Sequence, residues 1–527
     1  MSSQPQTKTS SWMPQEILDS APSPQEWKRR WIGLIVGIVL AVITYFIFPS
    51  NGADLVNAAI GTEEVTYSLS GLQITAAGAV LMGVWWMTEA IPLAATALVP
   101  LVLFPAFQVI DFGKIAAPYA SSTIFLFMSG FILALGMQRW NLHRRLALLV
   151  VLAVGTSPKR LVAGFMIATG FLSMWVSNTA TAVVMLPIGL SVLTLTADRV
   201  GGFKNQKNFA TALMLAIAYS ASIGSLGTII GTPPNALLVA YLSENHDIHI
   251  GFGQWMLVGV PLSVTFMAIA WFILTTIFKP EMKDIPGGRE LIKQELDKMG
   301  PMSRGEKMTG TVFLLAALSW VFIPTLLKIT GSSLNIADAG IGMTAALLMF
   351  LIPVDAKRGV RIIDWKTAEK LPWDVLLLFG GGLALSKMFT TSGLSAWIGE
   401  VAQGLSVLPT VLIVVAIATL IIFLTELTSN TATAAAFLPI IGGVAIGIGI
   451  TDGAPQNVMF LTIPVALAAT CAFMLPVATP PNAIAFGSGY VKISEMVKGG
   501  LWLNLVGIVL ITIVTYALAV PVFGLVL

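Results

Sequence analysis

The stretch that decides the fold is SNTATAVVMLPI at residues 177–188, because it recurs as SNTATAAAFLPI at residues 429–440. Nine of the twelve positions are identical. A second motif follows each copy, GTPPN at residues 231–235 and ATPPN at residues 478–482. Two halves of the chain thus carry the same ordered pair of motifs, and the sequence predicts an internal duplication.

The composition places these motifs in a membrane protein. Apolar residues make up 56% of the 527 residues and charged residues only 10%, against about 25% charged residues in a soluble domain. The net charge is +3, which implies no polyanionic partner, so nucleic-acid binding is excluded. The single cysteine, Cys471, excludes an internal disulfide and a cysteine-based metal cluster. We therefore expect an all-α polytopic protein embedded in a lipid bilayer.

Apolar runs of about 20 residues predict the membrane-spanning helices. The uninterrupted runs are Trp31–Phe48, Leu72–Thr88, Ile91–Phe107, Tyr119–Gln138, Gln254–Phe278, Met308–Thr330, Ala339–Val354, Trp373–Phe389 and Gly500–Leu527. Four further apolar stretches, at 161–193, 209–243, 411–450 and 458–490, are interrupted by Ser, Thr, Asn, Gly or Pro. Together they predict about 11 transmembrane helices.

The distribution of Lys and Arg predicts the orientation of these helices. With a cytoplasmic N-terminus and alternating spans, 26 of the 29 basic residues fall on the cytoplasmic side. The exceptions are Lys114, Lys328 and Lys387. We therefore expect a multi-pass protein of the plasma (inner) membrane, with its N-terminus cytoplasmic and its C-terminus external.

Polar stretches divide the chain into segments. The predicted segments are a cytoplasmic tail at 1–30, the first helix and an external loop at 31–70, repeat 1 at 71–278, a cytoplasmic linker at 279–307 and repeat 2 at 308–527. The linker is rich in both charges and is predicted to be solvated. The spacing of its Leu291, Ile292 and Leu296 favours a short surface helix within it.

The two repeats face opposite ways on the charge map. Basic residues flank the stretch 161–193, whereas none flank 411–450. Residues 161–193 are too few for two spans, so we predict a re-entrant hairpin with its tip near 177–179, and by symmetry a second hairpin at 411–450. The proline motifs are expected to break the next helix of each half, because proline removes a backbone donor. Inverted repeats with broken helices are typical of secondary transporters.

The breaks gather groups that suit both an anion and a cation. Amides, hydroxyls and helix N-termini favour a carboxylate or another oxyanion. Free carbonyls and hydroxyl oxygens favour a hard monovalent cation such as Na⁺. Ser173 and Ser177 are four residues apart, as are Thr425 and Ser429, so each pair is expected to share a helix face. No P-loop, zinc motif or nucleophile motif is present, so the sequence supports neither an ATP-driven pump nor an enzyme.

The SNT motif of each half, followed by a [GA]-T-P-P-N motif, resembles the divalent-anion:sodium symporter (DASS) family of dicarboxylate and citrate transporters. The resemblance covers most of the chain after residue 70 and implies Na⁺ as coupling ion, a homodimer and an elevator-type motion. The substrate-binding residues that it implies are Asn178, Thr179, Thr232, Pro233, Asn430, Thr431, Thr479 and Pro480. The sodium ligands that it implies are Ser173, Ser177, Asn178 and Gly231 for one ion, and Thr425, Ser429, Asn430 and Ala478 for the other.

The function expected from these observations is sodium-coupled import of C4 dicarboxylates such as succinate, malate or fumarate. A sodium-independent dicarboxylate exchanger, or a citrate or sulfate carrier, would have the same fold. A channel or a polytopic membrane enzyme is the alternative from another class, although an enzyme would need a catalytic constellation that the motifs do not supply. For Glu426, a proton or cation role and a structural hydrogen bond stay open.

Overall fold

The computed structural model describes residues 23–60, 66–155, 157–200, 202–282, 288–331, 334 and 336–526. Within these residues the regular secondary structure is helical apart from one small antiparallel hairpin, formed by the strands Pro353–Asp355 and Val360–Arg361. Ten helices are long and apolar enough to cross a membrane, or eleven if the bent pair Leu394–Val407 and Thr410–Thr425 counts as one span. The expectation of an all-α polytopic membrane protein is confirmed.

The helices before the linker have very different lengths. Up to the linker, the α-helices are Pro24–Ile47, Gly52–Ile60, Leu69–Thr88, Leu93–Thr96, Val99–Ala106, Phe112–Ala116, Ser122–Arg139, Leu142–Val154, Pro158–Ser173, Asn178–Val200, Lys207–Ser225, Pro233–His246 and Phe252–Ile277. Short 3₁₀ turns occupy Ala117–Ala120 and Phe203–Gln206.

The second repeat has a similar order of elements. From the linker onward, the α-helices are Gly288–Lys298, Arg304–Ile329, Asp338–Leu351, Trp365–Ala368, Trp373–Thr391, Leu394–Ala402, Thr410–Thr425, Asn430–Gly447, Met459–Ala469, Pro480–Gly487, Ile493–Val514 and Val520–Phe523. A π-turn at Thr515–Ala519 and 3₁₀ turns at Gln403–Val407 and Pro455–Val458 complete the chain.

The first helix begins earlier than the sequence predicted. Residues 1–22 lie outside the described part of the chain, but the tail predicted at 1–30 is wrong for residues 24–30, which are helical. Ser23 caps this helix: its hydroxyl accepts from the Glu26 N–H, and the Glu26 carboxylate accepts from the Ser23 N–H at 2.9 Å. This reciprocal capping box starts the helix about two turns before the apolar run.

Two of the predicted spans are shorter than expected. The run predicted at Ile91–Phe107 forms two short helices, because Pro92 and Pro100 each lie at or near a helix start. The run at Ala339–Val354 forms a helix of only 14 residues, Asp338–Leu351.

A basic stretch between two apolar runs contains a helix. Residues 139–160 lie on the side that the charge distribution predicts to be cytoplasmic, and Leu142–Val154 within them is helical. Its apolar run is too short to span a bilayer, and it buries Arg145 against the rest of the protein.

Both predicted hairpins are present as two helices joined by a four-residue turn. The first hairpin, Pro158–Ser173 and Asn178–Val200, turns at 174–177, and the second hairpin, Thr410–Thr425 and Asn430–Gly447, turns at 426–429. Entry and exit of each hairpin on one side of the membrane stays a prediction.

The next helix of each half is broken, as the proline motifs predicted. In the first half the helix stops at Ser225 and restarts at Pro233; in the second half it stops at Ala469 and restarts at Pro480. We call the segments 226–232 and 470–479 the first break and the second break. Proline at the first position of each restarting helix needs no backbone donor there.

The broken helices form the centre of the molecule. Every residue of Phe209–Ser225 is buried, and so is every residue of Met459–Ala469. The first hairpin packs closely on the first broken helix, because Gly224 lies so near the backbone of Gly170 that a side chain there would collide with it. Small residues allow this approach of backbones in membrane proteins.

The linker helix, Gly288–Lys298, is docked onto the protein rather than fully solvated. Ile292 is completely buried, and Glu295 pairs with Arg144 of the helix Leu142–Val154 at 2.8 Å. Just beyond the linker helix, Arg145 pairs with Glu306 at 2.5 Å, and both side chains are buried. The predicted surface helix is confirmed, and the prediction of a solvated segment is wrong for Ile292.

Candidate functional site

The turn of the first hairpin gathers oxygen atoms. The helix ends at Ser173, whose Oγ lies 2.7 Å from Asn178 Oδ1 and 2.6 Å from the carbonyl oxygen of Ala221. Asn178 begins the second helix of the hairpin, and its Nδ2 donates to Ser225 Oγ at 3.3 Å. The first hairpin and the first broken helix are therefore joined through Asn178 and Ser173.

The first break is held open by the last residue of its motif. The Asn235 amide donates to the carbonyls of Thr228 at 2.9 Å and Leu226 at 3.3 Å, while its own Oδ1 is buried and has no hydrogen-bond partner among the described residues. Gly231 lies against the carbonyl of Ser225, so that any side chain at 231 would collide with this backbone. Glycine is required there by the close approach of the two chain segments.

The second hairpin repeats the arrangement of the first. Thr425, the last residue of its first helix, has Oγ1 2.8 Å from Asn430 Oδ1 and 2.9 Å from the carbonyl oxygen of Ala469. Asn430 begins the second helix. A threonine hydroxyl thus occupies the place that the Ser173 hydroxyl has in the first half.

The second break is also held by an asparagine. The Asn482 amide donates to the carbonyls of Ala472 and Leu475, both at 3.0 Å, and within the described part of the chain its buried Oδ1 has no partner. Thr479 caps the restarting helix by accepting from the Asn482 N–H at 3.3 Å. Cys471, at the start of this break, is completely buried.

The two breaks meet in the centre of the protein. Thr232 Oγ1 of the first break lies 3.4 Å from Thr470 Oγ1 of the second break, and both side chains are buried. A helix begins directly after each hairpin turn and each break, at Asn178, Pro233, Asn430 and Pro480. Helix N-termini carry partial positive charge, so the arrangement favours an anion between the two halves.

The spacing argument about hydroxyl pairs is wrong. Because the helices end at Ser173 and Thr425, Ser177 and Ser429 lie beyond the helix end and do not share a helix face with them. The Ser177 hydroxyl instead accepts from the Ala180 N–H at 3.3 Å. The hydroxyl at the helix end contacts the asparagine five residues later.

The remaining predicted residues differ in exposure. The buried ones are Gly231, Thr431, Ala478 and Thr479; the half-buried ones are Pro233 and Ser429; the exposed ones are Ser177, Thr179 and Pro480. In each half the side-chain contacts join the helix-end hydroxyl to the SNT asparagine.

The oxygen clusters fit a monovalent cation. The Ser173 hydroxyl has one proton but lies within reach of two acceptor oxygens, those of Asn178 and Ala221, and the Thr425 hydroxyl faces the same excess of acceptors. A cation between such oxygens would satisfy the lone pairs that one proton cannot. All the groups in each cluster are neutral hard oxygens, the kind that Na⁺ or another hard cation prefers.

One carboxylate distinguishes the two halves. Glu426 is buried and accepts from the backbone N–H groups of Phe473, Met474 and Leu475, at 2.7 to 3.1 Å, and from Asn504 Nδ2 at 2.7 Å. Met174 takes the corresponding place after Ser173 in the first hairpin. Of the two roles left open for Glu426, these contacts favour the structural hydrogen bonds.

Sequence reasoning missed several groups of this site. Asn235 and Asn482 recur at the same place in both motifs, and that repetition was a signal that could have identified them. The carbonyls of Ala221 and Ala469 carry no side-chain signal, because any residue supplies a carbonyl. Asn504 comes from a distant helix, Ile493–Val514, and the sequence gives no sign of its partner.

Comparison with known proteins places this geometry in a family. The model of the sodium:sulfate symporter transmembrane region matches residues 69–525. The sodium-dependent dicarboxylate transporter SdcS of Staphylococcus saprophyticus is 43% identical over 94% of this chain and 92% of its own length. Its counterpart in Staphylococcus aureus strain USA300 is 41% identical over the same shares.

A solved structure supports the fold alone. The YdaH transporter of Alcanivorax borkumensis is similar with a TM-score of 0.51 and 14% sequence identity, over 83% of this chain and 97% of that one. The family match extends across both hairpins and both breaks, as the SNT and TPPN motifs predicted. This chain is a multi-pass membrane transporter rather than an enzyme, and it belongs to the sodium:sulfate symporter family.

Proposed function

We propose that this chain is a secondary active transporter of the plasma membrane that imports C4 dicarboxylates together with Na⁺. The observation that carries this proposal is the pair of matching oxygen clusters, Ser173 with Asn178 and Thr425 with Asn430, beside two breaks that meet. Two relatives that cover most of this chain are named sodium-dependent dicarboxylate transporters, which favours the same substrate class.

The sodium ions would lie at the oxygen clusters. Ser173, Asn178 and the backbone of the first break would hold one ion, and Thr425, Asn430 and the backbone of the second break the other. Ser177, Ser429, Gly231 and Ala478 belong to the same proposal as ligands, by family resemblance. Ordering these loops around Na⁺ would prepare the anion site, so that the two binding events favour each other.

The dicarboxylate would lie between the two halves. Asn178 and Thr179 would bind one carboxylate, and Asn430 and Thr431 the other, with Thr232, Pro233, Thr479 and Pro480 around them. Neither SNT motif has a Lys or Arg beside it, so neutral donors, helix N-termini and Na⁺ would supply the positive potential. Transport would proceed by an elevator-type motion of the hairpins in each subunit of a homodimer, with the N-terminus cytoplasmic and the C-terminus external.

Sulfate is the second candidate, because the family model that matches this chain is named for a sodium:sulfate symporter. The tetrahedral dianion would occupy the same neutral-donor site. Competition between the two anions separates the candidates without any change to the protein.

The test is uptake of radiolabelled succinate into proteoliposomes, with an inward Na⁺ gradient compared with an equal K⁺ or choline gradient. The proposal expects uptake that requires Na⁺ and is competed by malate and fumarate. Uptake that is independent of Na⁺ but faster with dicarboxylate inside the liposomes would show that the protein is an exchanger and not a symporter. Sulfate uptake that dicarboxylates do not inhibit would show that sulfate, and not a dicarboxylate, is the substrate.

Two variants test the assignment of the site. Asn178→Ala and Asn430→Ala should each abolish Na⁺-driven uptake while the protein still reaches the membrane. Asn205→Ala, in a 3₁₀ turn outside the hairpins and breaks, is the matched control for losing an asparagine. Normal uptake by both site variants would contradict the assignment.

A further inference from the structure

A cavity of about 630 Å³ lies away from the hairpins and breaks, between the segment 105–114 and the last turns of the helix Trp373–Thr391. The charge distribution predicts that this end of the helix is external. Cavities of this volume are large enough to hold a small ligand or a headgroup.

Two basic side chains meet at this cavity. Lys114 and Lys387, from segments far apart in the sequence, both line it, and they are two of the three basic residues that the charge distribution places away from the cytoplasm. On a side almost devoid of basic residues, their convergence on one cavity points to a ligand.

The cavity has an excess of positive charge. Lys114 pairs with Asp111 at 3.3 Å, and both side chains are exposed to solvent. Lys387 is half-buried and has no carboxylate within ion-pairing distance among the described residues. A partly desolvated ammonium group without a partner favours the approach of an anion.

The rest of the lining is suited to a lipid rather than to a free ion. Its apolar lining, which we call the apolar wall, consists of Pro105, Val109, Ile110 and Phe112, while Gln108, Asp111 and Thr391 are polar like the lysines. A soluble anion would use only the polar residues, whereas a phospholipid would use both sets.

We propose that this cavity binds an anionic phospholipid of the external leaflet. The headgroup phosphate lies against Lys114 and Lys387, and the glycerol and first acyl carbons cover the apolar wall. The site is separate from the transport site, since its lining residues belong to neither hairpin and neither break.

The test measures the thermal unfolding of the purified full-length protein in detergent, without Na⁺ or dicarboxylate. Phosphatidylglycerol should raise the unfolding temperature of the wild-type protein by about 2 °C or more, and phosphatidylcholine should not. The double variant Lys114→Gln/Lys387→Gln should lose this rise. Lys328→Gln, the third lysine predicted to be external, should keep it because Lys328 belongs to another helix, Arg304–Ile329.

A second measurement keeps the test independent of the stability of the variants. Native mass spectrometry should detect a retained phosphatidylglycerol on the wild-type protein and on Lys328→Gln, and a several-fold smaller fraction on Lys387→Gln. The proposal is overturned by an equal rise with phosphatidylcholine, or by an undiminished rise in the double variant. An equal rise of the unfolding temperature with inorganic phosphate at the same concentration would contradict lipid binding and show that the cavity binds a soluble anion.

Discussion

The hydroxyl that ends the first helix of each hairpin is the most informative single group in this protein. Ser173 and Thr425 each face an asparagine oxygen and a backbone carbonyl with only one proton to offer. A cation and a hydroxyl proton would therefore compete for the same oxygens, and the hydroxyl oxygen contributes in either case.

Replacing Thr425 with Val should lower the apparent affinity for Na⁺, because it removes one ligand oxygen while keeping the shape of the side chain. We expect the Na⁺ concentration for half-maximal succinate uptake to rise by about tenfold, which corresponds to about 1.4 kcal/mol. Thr425→Ser keeps the hydroxyl and should remain near the wild-type value. An unchanged Na⁺ dependence in Thr425→Val would remove Thr425 from the proposed ion site.

Replacing Glu426 with Gln should destabilise the second break. Four donors converge on this carboxylate, and an amide in its place would turn NH₂ hydrogens toward backbone N–H groups. Leaving a buried donor unsatisfied costs about 1–3 kcal/mol, so the variant should unfold at a lower temperature in detergent. Glu89→Gln, at an exposed ion pair with Arg29, should change the stability by less than about 1 kcal/mol. Equal effects of the two substitutions would contradict this account.

At this scale, recurrence in the sequence identified the SNT asparagines, although the recurring Asn235 and Asn482 were missed. A side chain that acts alone, such as Asn504, could not be identified. Asn178 and Asn430 stand in matching motifs, and both lie at the oxygen clusters. The spacing of Ser173 and Ser177 was misread, because a four-residue interval describes a helix face only where the helix continues. A turn begins at Met174, and the residues that follow it contain no clear signal that the helix ends there.

At the scale of elements, the fold depends on helices that stop where an uninterrupted helix would be expected. The breaks at 226–232 and 470–479 leave backbone carbonyls free; the first break is fully buried, whereas residues 474–476 of the second are half-buried and Val477 is exposed. Asn235 and Asn482 satisfy several of these carbonyls and so fix the shape of each break. Buried backbone that is not helical is tolerated in membrane proteins where protein groups satisfy it in this way.

Replacing Gly231 with Ala should distort the first break, because the added methyl group would meet the backbone of Ser225. Overpacking of this kind costs about 1–3 kcal/mol, and we expect a lower unfolding temperature together with a loss of Na⁺-driven uptake. Gly487→Ala is the matched control, since Gly487 ends the helix Pro480–Gly487 and has open space around it. A Gly231→Ala variant with wild-type uptake would show that the close approach is not needed for transport.

The proline motifs predicted the breaks because proline acts locally, whereas other elements depended on the tertiary structure. The helix Leu142–Val154 is too short to be recognised as a span and too basic to resemble one, yet packing against the linker helix stabilises it. The start at Pro24 was missed because a capping box extends the first helix into polar sequence. The run Ile91–Phe107 is apolar enough for a span, but its prolines divide it.

At the scale of the whole molecule, ion pairs tie the linker segment 279–307 to the first half of the chain. Glu295 of the linker helix pairs with Arg144. The neighbouring Arg145 pairs with Glu306, just beyond the linker helix. The hydrogen bond from Lys298 holds the pKa of Glu295 below its ordinary value, partial burial opposes this, and Arg144 lowers the pKa further. The linker is thus held by charges on the side predicted to be cytoplasmic.

The docking of the linker helix should weaken at low pH. Because the pKa of Glu295 is lowered in the folded protein, its contribution is complete above the ordinary glutamate value of about 4.3. It is lost as the pH falls through the lowered pKa. Hydrogen exchange, corrected for intrinsic rates, should show less protection of residues 288–298 below that value than at pH 7.

Arg144→Gln should weaken this protection already at pH 7 and reduce its dependence on pH. Lys293→Gln is the control, since Lys293 lies on the same helix and none of the ion pairs around Glu295 involves it. Protection that is independent of pH in the wild-type protein would mean that the apolar contact of Ile292 alone holds the helix.

The duplication could be predicted from its motifs, and its inversion stays a prediction from the charge distribution. The contact between the two halves could not be predicted. Thr232 and Thr470 lie 238 residues apart, and only one of them belongs to a recognised motif. Long-range contacts of this kind depend on how whole helices pack, which periodicity along the chain does not encode.

The burial of the only cysteine lets the rate of its chemical modification report how often the centre of the protein opens. Cys471 lies at the start of the second break, beside the residues that bind Glu426, and is completely buried. A thiol reagent can therefore react only while this region is transiently exposed. The rate of modification then depends on how often the region opens. The native chain carries this reporter without any engineering, so the frequency with which its centre opens can be read from a single reaction, with and without Na⁺.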